Sequence, residues 1–591
     1  MAEKKSATIK DFSKGWVTEI ISDALEVGMS PDLENVDFGA SGSVKKTWGY
    51  AEYVADSEDA SITRLMVVPD RQGVEWLFKK VGTKIKVLDP ILNRWDTVIE
   101  SMTDGDTPVY EYFDATVYFI SAVDVAREFN LYVQTRLTAA VLDDAVTVNV
   151  DDTTAFPDGG NFYLNSQIVA YTGKTPTSFT GCTGVVASED NSLVFGEANN
   201  VGSENEIPKG TITCQYAGRL FVANGSTIYG SKLVDLTNFA VAGSGTGDAI
   251  EKTIESKCTA LKVFYDDQSN LRMLAFAGNN KIYVLDVLDD AGSSSTITTS
   301  SLFKDNVTAK NQLSTLVAPN NLYHIDFRNQ VRSLGQTYAN RGVEKIYSDV
   351  VSQFHETIFR LDYDFSDARS IIFGDEYWCV CKEGTGDINN RLIIFNFTDG
   401  TWRLRTGVSA SDIAVYDNKV VFSDSINNKV FYFDELLKAD DDDSIYFKYS
   451  TPDLDLDKLS FERLRRVRVS GFISKSCETT ISIYSDFATK KLGEFTLLGN
   501  NNDITGKLLQ NEGTFGSMLF GGEAAGGDEQ GDSVRFFIAD LELSELPDLE
   551  NFRLVFENNQ SNVYFEITAI KPFIMPMNET YWPQNKIIKS N

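Results

Sequence analysis

Histidine is the scarcest chemically useful side chain in this sequence, with two copies, His324 and His355, among 591 residues. So few imidazoles leave little for a catalytic triad or for acid–base catalysis near neutral pH. Cysteine is also sparse, and its six copies show neither a disulfide framework nor zinc-ligand spacing. We expect them to be reduced, mostly buried, small hydrophobic side chains; they are Cys182, Cys214, Cys258, Cys379, Cys381 and Cys477.

Positive charge is in deficit. The sequence has 54 Lys and Arg against 85 Asp and Glu, which gives a formal net charge of −31. Such a surface repels phosphate backbones, which argues against wrapping nucleic acid by charge neutralisation. An acidic lining would instead let DNA slide through a channel without sticking, although the simpler interpretation is that the acidity only maintains solubility.

Long apolar runs are missing as well. No segment approaches the ~18 residues of a membrane span, and residues 1–5 lead into a polar segment without the apolar core of a signal peptide. We therefore expect a chain without a membrane span that is synthesised in the cytoplasm. At 591 residues it is too long for one ordinary core, so several domains or a repeat architecture are expected.

Strand-forming and turn-forming residues are abundant, with 38 Phe, 24 Tyr and 42 Gly. Between residues 62 and 434, short apolar strands joined by tight polar turns recur every ~40 to 60 residues, the spacing of propeller blades. Each blade needs a neighbour to cover its apolar faces, so the set is expected to close into a ring. The predicted strands are 76–78 and 85–88, 116–120, 219–223 and 227–231, 273–276 and 281–285, 321–325 and 330–334, 377–381 and 391–395, and 419–422 and 429–433.

Two further β-modules are predicted. Residues 137–183 alternate as half-buried strands and stop in a turn at Phe156-Pro157, which indicates a small inserted β-domain. Residues 440–443 are four consecutive aspartates, which we expect to be solvated and to mark a domain boundary. Alternating segments after them, at 445–449, 467–470, 479–484, 534–538, 552–556 and 563–567, predict an antiparallel sandwich.

The predicted fold class is therefore all-β: a β-propeller platform with an inserted small β-domain and a C-terminal antiparallel β-sandwich. The predicted domains are an N-terminal arm with the first strands (1–60), the first blades (61–135), the inserted domain (136–205), the remaining blades (206–438) and the sandwich (439–591).

Three segments in different parts of the chain resemble structural proteins of tailed bacteriophages. Residues 154–183 resemble a short β-domain that recurs in such proteins. Phe-Ser-Lys-Gly-Trp-Val at 12–17 and Lys-Lys-Thr-Trp-Gly-Tyr at 45–50 resemble the opening of tail proteins of the nozzle type, with Lys14 and Thr47 as departures. Gly-Arg-Leu-Phe-Val-Ala at 218–223, with the residues up to Phe239, resembles a blade segment of phage nozzle and DNA-stabilisation proteins.

The resemblance implies a structural virion protein similar to podovirus-type tail nozzles, assembled in the host bacterial cytoplasm. A ring of copies, commonly six, would lie below the portal and adaptor, touch tail fibres or other tail proteins, and let DNA pass through its lumen without specific binding. No catalytic residue, cofactor or metal is implied. By composition, 188–205 and 513–531 are candidates for loops that line or gate the lumen.

The densest basic cluster is formed by Arg463, Arg465, Arg466 and Arg468. One interpretation is a solvated strand face. The other is a contact between copies, in which guanidinium groups pair with acidic surface on a neighbour and fix its register.

Three patterns imitate reactive or metal sites. Gly-Lys-Thr at 173–175 imitates a phosphate loop, but Ile168 stands where that loop requires glycine. Asp453, Asp455, Asp457 and Glu462 imitate a calcium loop with Lys458 in place of glycine, so an exposed strand face is favoured. Cys379 and Cys381 share one strand face and are interpreted as a core-facing pair.

Two other functions remain open. A receptor- or glycan-binding tail component would recognise its ligand through the inserted β-domain, with Tyr163 and Tyr171 as surface aromatics. A propeller-type glycoside hydrolase would need two carboxylates a fixed distance apart, and nothing in the sequence selects such a pair among 85 acidic residues.

Overall fold

The computed structural model describes residues 4–5, 8–17, 25–39, 41–56, 58–70, 72–200, 206–241, 247–265, 270–288, 296–303, 308–318, 321–335, 348–350, 363–455, 462–485, 490–499, 534–542 and 551–576. Within these ranges every regular element is a strand, and no helix is present that could cross a membrane. The chain forms two compact units. The sandwich unit comprises Met1–Ala51, Leu392–Gly407 and Phe433–Asn591, and the propeller unit comprises Glu52–Arg391 and Val408–Tyr432.

Seven four-stranded antiparallel sheets follow one another along the described part of the chain, so the predicted β-propeller is confirmed. They are called blades 1 to 7, and the strands of each are given from the innermost outward. Blade 1 consists of Ile62–Pro69, Glu75–Val81, Lys84–Asp89 and Arg94–Ile99; blade 2 of Val109–Phe113, Thr116–Ile120, Arg127–Asn130 and Asn199–Asn200; blade 3 of Ile212–Tyr216, Arg219–Asn224, Thr227–Gly230 and Ile250–Thr253; and blade 4 of Cys258–Tyr265, Leu271–Ala277, Lys281–Leu288 and Thr296–Phe303. Blade 5 consists of Leu316–Val317, Asn321–Ile325, Val331–Gly335 and Ser348–Val350; blade 6 of Tyr363–Phe373, Glu376–Glu383, Arg391–Asn396 and Thr401–Arg405; and blade 7 of Ala410–Tyr416, Lys419–Asp424, Val430–Asp434 and Gly49–Glu52.

Every predicted propeller strand lies on the second or third strand of a blade, and all seven blades are represented. These middle strands are covered on both faces by neighbouring blades, so they read as short continuous apolar runs. Phe221 in blade 3 and Phe276 in blade 4 are both fully buried in this way. The strand predictions are therefore confirmed at the positions where burial is most complete.

The ring closes where blade 7 meets blade 1. The Ser411 hydroxyl donates to the Ile62 carbonyl at 2.5 Å, and the Leu65 amide donates to Asp412 Oδ2 at 2.8 Å. Apolar side chains from both blades, among them Leu65 and Val421, share one core cluster. The first and last blades are thus joined by hydrogen bonds between side chains and main chain and by apolar packing.

A strand from the beginning of the chain completes blade 7. Just after that strand, the Tyr53 amide donates to the Val430 carbonyl at 2.8 Å, and the Tyr53 ring packs edge-on against Tyr416 and Tyr432. Lys429 Nζ and Glu52 Oε2 are 2.8 Å apart. The propeller unit therefore combines its earliest and latest residues in one sheet, which makes ring closure depend on both.

The inserted β-domain contains two small antiparallel sheets. One consists of Gln134–Arg136, Leu193–Gly196, Gly160–Leu164 and Gln167–Tyr171, and the other of Thr147–Asn149, Ser178–Thr180 and Gly173–Thr175. Its core is aromatic: the Phe179 ring lies 4.6 Å from Phe162, 4.8 Å from Tyr171 and 4.9 Å from Phe156, measured between centroids.

The predicted surface aromatics of this domain are wrong. Tyr171 is buried in the aromatic core and its hydroxyl donates to the Pro157 carbonyl at 2.8 Å. Tyr163 is buried too, in a cluster with apolar residues of blades 1 and 2 such as Trp76 and Phe119. Tyr171 supplies the core of the small domain, whereas Tyr163 lies on the opposite face of its strand from Phe162 and Leu164 and packs against the blades.

In the described part of the sandwich unit there are two six-stranded antiparallel sheets. The first has the order Val36–Phe38, Val44–Lys46, Phe565–Pro576, Glu462–Ser474 and Val534–Glu542, with Lys4–Lys5 also paired to Phe565–Pro576; the second has the order Leu33–Glu34, Ile445–Ser450, Asn551–Gln560, Glu478–Ser485 and Lys490–Leu498, with Leu454–Asp455 also paired to Asn551–Gln560. Phe447 and Phe565 meet edge-on between the sheets, 5.5 Å apart. The N-terminal arm therefore supplies strands to the sandwich.

The prediction that the aspartate run is solvated is wrong for its first member. Asp440 is buried and accepts a hydrogen bond from the buried guanidinium of Arg405. Burial raises the pKa of Asp440 above its ordinary value, and the nearby Arg405 charge opposes that rise. Asp441, Asp442 and Asp443 are exposed, as predicted. One residue of a like-charge run can enter a core because a buried cation pairs with it.

Candidate functional site

A cavity of about 540 Å³ lies at the centre of the propeller. The innermost strand of every blade contributes to its lining, which identifies it as the axial cavity. Representative lining residues, one from each blade in order, are Arg64, Glu111, Thr213, Lys262, Leu316, Arg369 and Asp412.

One end of the axial cavity is open to solvent. Pro69, Glu75 and Val317 line the cavity and are themselves exposed. Pro69 and Val317 are the last residues of the innermost strands of blades 1 and 5, so the opening lies where these strands finish. A small solute can therefore reach the interior.

Asp412 is the most heavily hydrogen-bonded charge inside. Its Oδ2 lies 2.7 Å from Arg64 Nη1 and accepts from the Leu65 amide at 2.8 Å, and its Oδ1 accepts from the Ile413 amide at 3.0 Å. Arg369 Nε lies 4.0 Å from Oδ1. Two guanidinium groups from different blades thus flank one buried carboxylate.

Glu111 and Lys262 place a second pair of opposite charges in the cavity, without a direct ion pair. Glu111 accepts from the Thr213 hydroxyl at 2.7 Å and from Gln215 Nε2 at 3.2 Å, and burial raises its pKa. Burial lowers the pKa of Lys262, with Cys214 and Glu111 opposing that shift. Within the described chain, the Lys262 ammonium has neither a hydrogen bond nor an ion pair.

Gln312 acts as a neutral bridge between blades 3 and 4. Its Oε1 accepts from the Leu261 amide at 2.8 Å, and its Nε2 donates to the Thr213 carbonyl at 2.9 Å. Both cavity carboxylates and this amide therefore hold neighbouring blades together. Their oxygens already accept hydrogen bonds from fixed protein donors. The arrangement therefore suits cohesion between blades and the binding of an ion of opposite charge to the lining cations.

These residues were not selected by the sequence analysis. A usable signal exists in blades 1, 2, 4 and 7, because the innermost strand of each carries one charged residue in an otherwise apolar or small run, as Lys262 does between Leu261 and Val263. Its meaning becomes clear only once strands up to 348 residues apart, such as those of Arg64 and Asp412, are known to line one cavity.

The predicted arginine cluster lies on the strand Glu462–Ser474 of the sandwich unit. Arg468 makes a two-pronged contact with Asp540, at 2.7 and 2.8 Å, and Arg466 approaches the same carboxylate at 3.5 Å. Both guanidinium groups also lie over the Phe573 ring. The partner of these two arginines is thus within the chain, and a role between copies stays a prediction. The side chains of Arg463 and Arg465 lie outside the described residues.

The two motifs that resemble a phosphate loop and a calcium loop make structural contacts. Lys174 lies on a strand and donates to the Thr153 and Phe156 carbonyls. The expected exposed strand face is wrong for Asp453, which is buried and pairs with both Nε and Nη2 of Arg553, at 3.1 and 2.8 Å. Asp455 lies on a short strand, whereas Asp457 and the side chain of Glu462 are outside the described residues.

The cysteines are all free and buried, as predicted. Burial raises the pKa of Cys379 to about 12, and it raises that of Cys381 as well. Both thiols are therefore protonated at neutral pH, which suits the predicted core-facing pair. Of the two predicted gating loops, 513–531 lies outside the described residues, and 188–205 is described only up to residue 200.

Comparisons with known proteins find similarity to solved structures in fold alone. No family model and no curated protein sequence matches the chain. Solved structures that it resembles include YCF48 from Cyanidioschyzon merolae, at 9% identity and a TM-score of 0.34 over 65% of this chain and 98% of that one. The β-propeller domain of Myceliophteria thermophila Cps50 (Swd1) is 8% identical, with a TM-score of 0.34 over 65% of this chain and 99% of that one.

A third solved structure is an exo-β-1,3-galactanase from Phanerochaete chrysosporium with β-1,3-galactotriose, at 10% identity and a TM-score of 0.21 over 61% of this chain and 95% of that one. Identities and scores at this level carry no function from these proteins to this chain.

Proposed function

We propose that the chain is a structural virion protein of the tail-nozzle type from a tailed bacteriophage, which forms part of the channel through which the genome leaves. One observation carries the proposal. In the segments that resemble nozzle proteins, several residues occupy positions where the fold requires that residue type. Their likeness to that family therefore has an architectural cause.

The blade segment at 218–223 illustrates this point in the propeller unit. Arg219 is fully buried and donates to the carbonyls of Ser231 and Asp248, at 2.5 and 2.7 Å. The Ser231 hydroxyl accepts from the Leu220 amide at 3.0 Å. The arginine and the serine of this segment thus tie the strands of blade 3 to the connection that follows them.

The opening segment plays an equivalent part in the sandwich unit. Gly49 lies so close to Ala439 that a Cβ would be 1.9 Å from its carbonyl oxygen, so no other residue fits. Gly15 has a φ of +80°, where a Cβ would also lie 2.8 Å from Thr401 Cβ. Phe12 is buried and packs edge-on against Tyr449, 6.0 Å away. The glycines and the aromatic residue of this segment are therefore needed for local packing.

The inserted domain supports the same proposal through Phe156 and Phe179. Both belong to the segment that resembles the phage β-domain, and both lie in its aromatic core. The mechanism we propose is geometric and electrostatic. A ring of copies, six in the expected arrangement, forms a rigid collar, and a chain with net charge −31 keeps DNA from adhering to its wall.

Negative-stain electron microscopy of the recombinant chain tests the proposal. We expect an annulus with a central pore, and neither glycan binding nor glycoside turnover in parallel assays. A chain that is monomeric at micromolar concentration and binds glycans would contradict the nozzle. Turnover abolished by one carboxylate substitution would contradict it as well, in favour of the hydrolase.

A further inference from the structure

The axial cavity of the propeller holds more positive than negative charge in its interior, although the whole chain is strongly acidic. Among the described residues, three cations line it, Arg64, Arg369 and Lys262, against the two interior carboxylates Asp412 and Glu111. The remaining lining acid, Glu75, is exposed at the open end, where it accepts a hydrogen bond from the Asp417 amide at 3.1 Å. The interior is therefore short of one negative charge.

The existing hydrogen bonds leave these cations incompletely satisfied. Arg64 Nε and Arg369 Nε are buried and have no hydrogen-bond partner in the described part of the chain. Arg369 gives two hydrogen bonds to main-chain carbonyls, at Asp367 and Ala368, and its contact with Asp412 is 4.0 Å long. Lys262 lines the cavity without a partner among the described residues. Lys262 is half-buried and has no counter-charge among the described residues, so binding an anion beside it is favourable.

We propose that the axial cavity binds a small phosphate-type oxyanion between Arg64, Arg369 and Lys262. Guanidinium groups match the planar spacing of phosphate or carboxylate oxygens, and an ammonium adds a point charge. The cavity, at about 540 Å³, accommodates inorganic phosphate or a small phosphomonoester, and its open end gives access. The inference goes beyond the nozzle function, since it concerns the interior of one propeller and does not depend on assembly.

Thermal unfolding and titration calorimetry of the full recombinant chain test the site. Inorganic phosphate at 20 mM, compared with chloride at equal ionic strength, is expected to raise the Tm by about 2 °C. In Lys262→Met the shift should fall below about 0.5 °C. Its own folding is expected to be intact, because the substitution removes a half-buried charge and keeps the apolar stem. Lys84→Met, an exposed side chain of blade 1, is the matched control and should keep the full shift.

A second variant moves affinity in the opposite direction. Asp412→Asn removes the carboxylate that competes for the two arginines and keeps one oxygen to accept from the backbone, so phosphate should bind about tenfold more tightly. Glycerol 3-phosphate, tested in parallel, distinguishes an ester-binding site from one for free phosphate, and stronger binding of either supports the proposal. No phosphate-dependent shift in the native chain, or an equal shift in Lys262→Met, overturns it.

Discussion

At the scale of single residues, Arg219 is the buried cation on which blade 3 depends. Arg219→Met keeps the apolar stem and leaves the Ser231 and Asp248 carbonyls without their charged donor. We expect a loss of about 3 kcal/mol in the free energy of unfolding, measured by urea denaturation. Arg272→Met is the control, because the partly exposed Arg272 pairs with Asp286 at 3.0 Å and should cost less than about 1 kcal/mol. Equal losses in the two variants would contradict this role for Arg219.

Asp96 gives a residue-scale prediction about pH. It is buried in blade 1, and burial raises its pKa from 3.8 to about 6. The folded state therefore binds a proton that the unfolded chain has released between about pH 4 and 6. The stability from the protonated carboxyl is present below about pH 4 and is lost as the pH rises through 6.

Asp96→Asn should remove that dependence. We expect the variant to be more stable than the native chain at pH 7, by at most about 3 kcal/mol, and to match it near pH 4. Denaturation curves at pH 4, 5, 6 and 7 measure the difference. Asp104→Asn, at an exposed turn, should track the native chain throughout. A constant offset of Asp96→Asn at every pH would refute the titration of Asp96.

At the scale of elements, a buried ion pair helps to fasten the inserted domain to blade 1. Arg136 Nη1 and Nη2 lie 3.1 and 3.0 Å from the two oxygens of Asp89, whose side chain is fully buried. Arg136→Met leaves that carboxylate unpaired and should cost about 3 kcal/mol. Hydrogen exchange should quicken in the strands Gln134–Arg136 and Leu193–Gly196.

Asp158→Asn is the control for this element, since Asp158 is fully exposed and its nearest cation, Lys174, is 4.0 Å away. Its exchange pattern should equal that of the native chain. Unchanged exchange in Arg136→Met would show that the remaining contacts hold the domain in place, such as Trp76 against Phe195 and the hydrogen bond from the Thr97 amide to the Ser166 hydroxyl at 2.9 Å.

The elements also show what the sequence could and could not predict. The middle strands of the blades were predictable because burial on both faces leaves a continuous apolar run, as in Leu220–Val222. The strand Lys490–Leu498 was missed because only Leu497 of its described side chains is fully buried, so its pattern is weak. First strands were predicted within residues 1–60, but the place of the strand Val36–Phe38 in the sandwich depends on a sheet shared with Phe565–Pro576, far along the chain.

The axial cavity was not predictable for the same physical reason. A charge such as Glu111 or Asp412 looks like any surface acid until the ring places it in the interior. Asp440 shows the converse, because its like-charged neighbours suggested full exposure while Arg405 stabilises it inside. Sequence patterns report local periodicity, and buried ion pairs between distant segments do not produce one.

At the scale of the whole molecule, the net charge of −31 predicts how the protein treats DNA. Double-stranded DNA should not be retarded in a gel by micromolar protein at about 150 mM salt, because few phosphate contacts can release counterions. A basic DNA-binding protein run beside it confirms that the assay detects binding. Retardation that weakens steeply with salt would contradict a non-adhesive channel.

The most direct test of the nozzle account is the number of copies of this chain in purified tailed particles, measured by quantitative mass spectrometry against the major structural proteins. The account predicts a fixed stoichiometry of about six copies per particle, equal to one ring. Particles that contain the other tail proteins but lack this chain would contradict it.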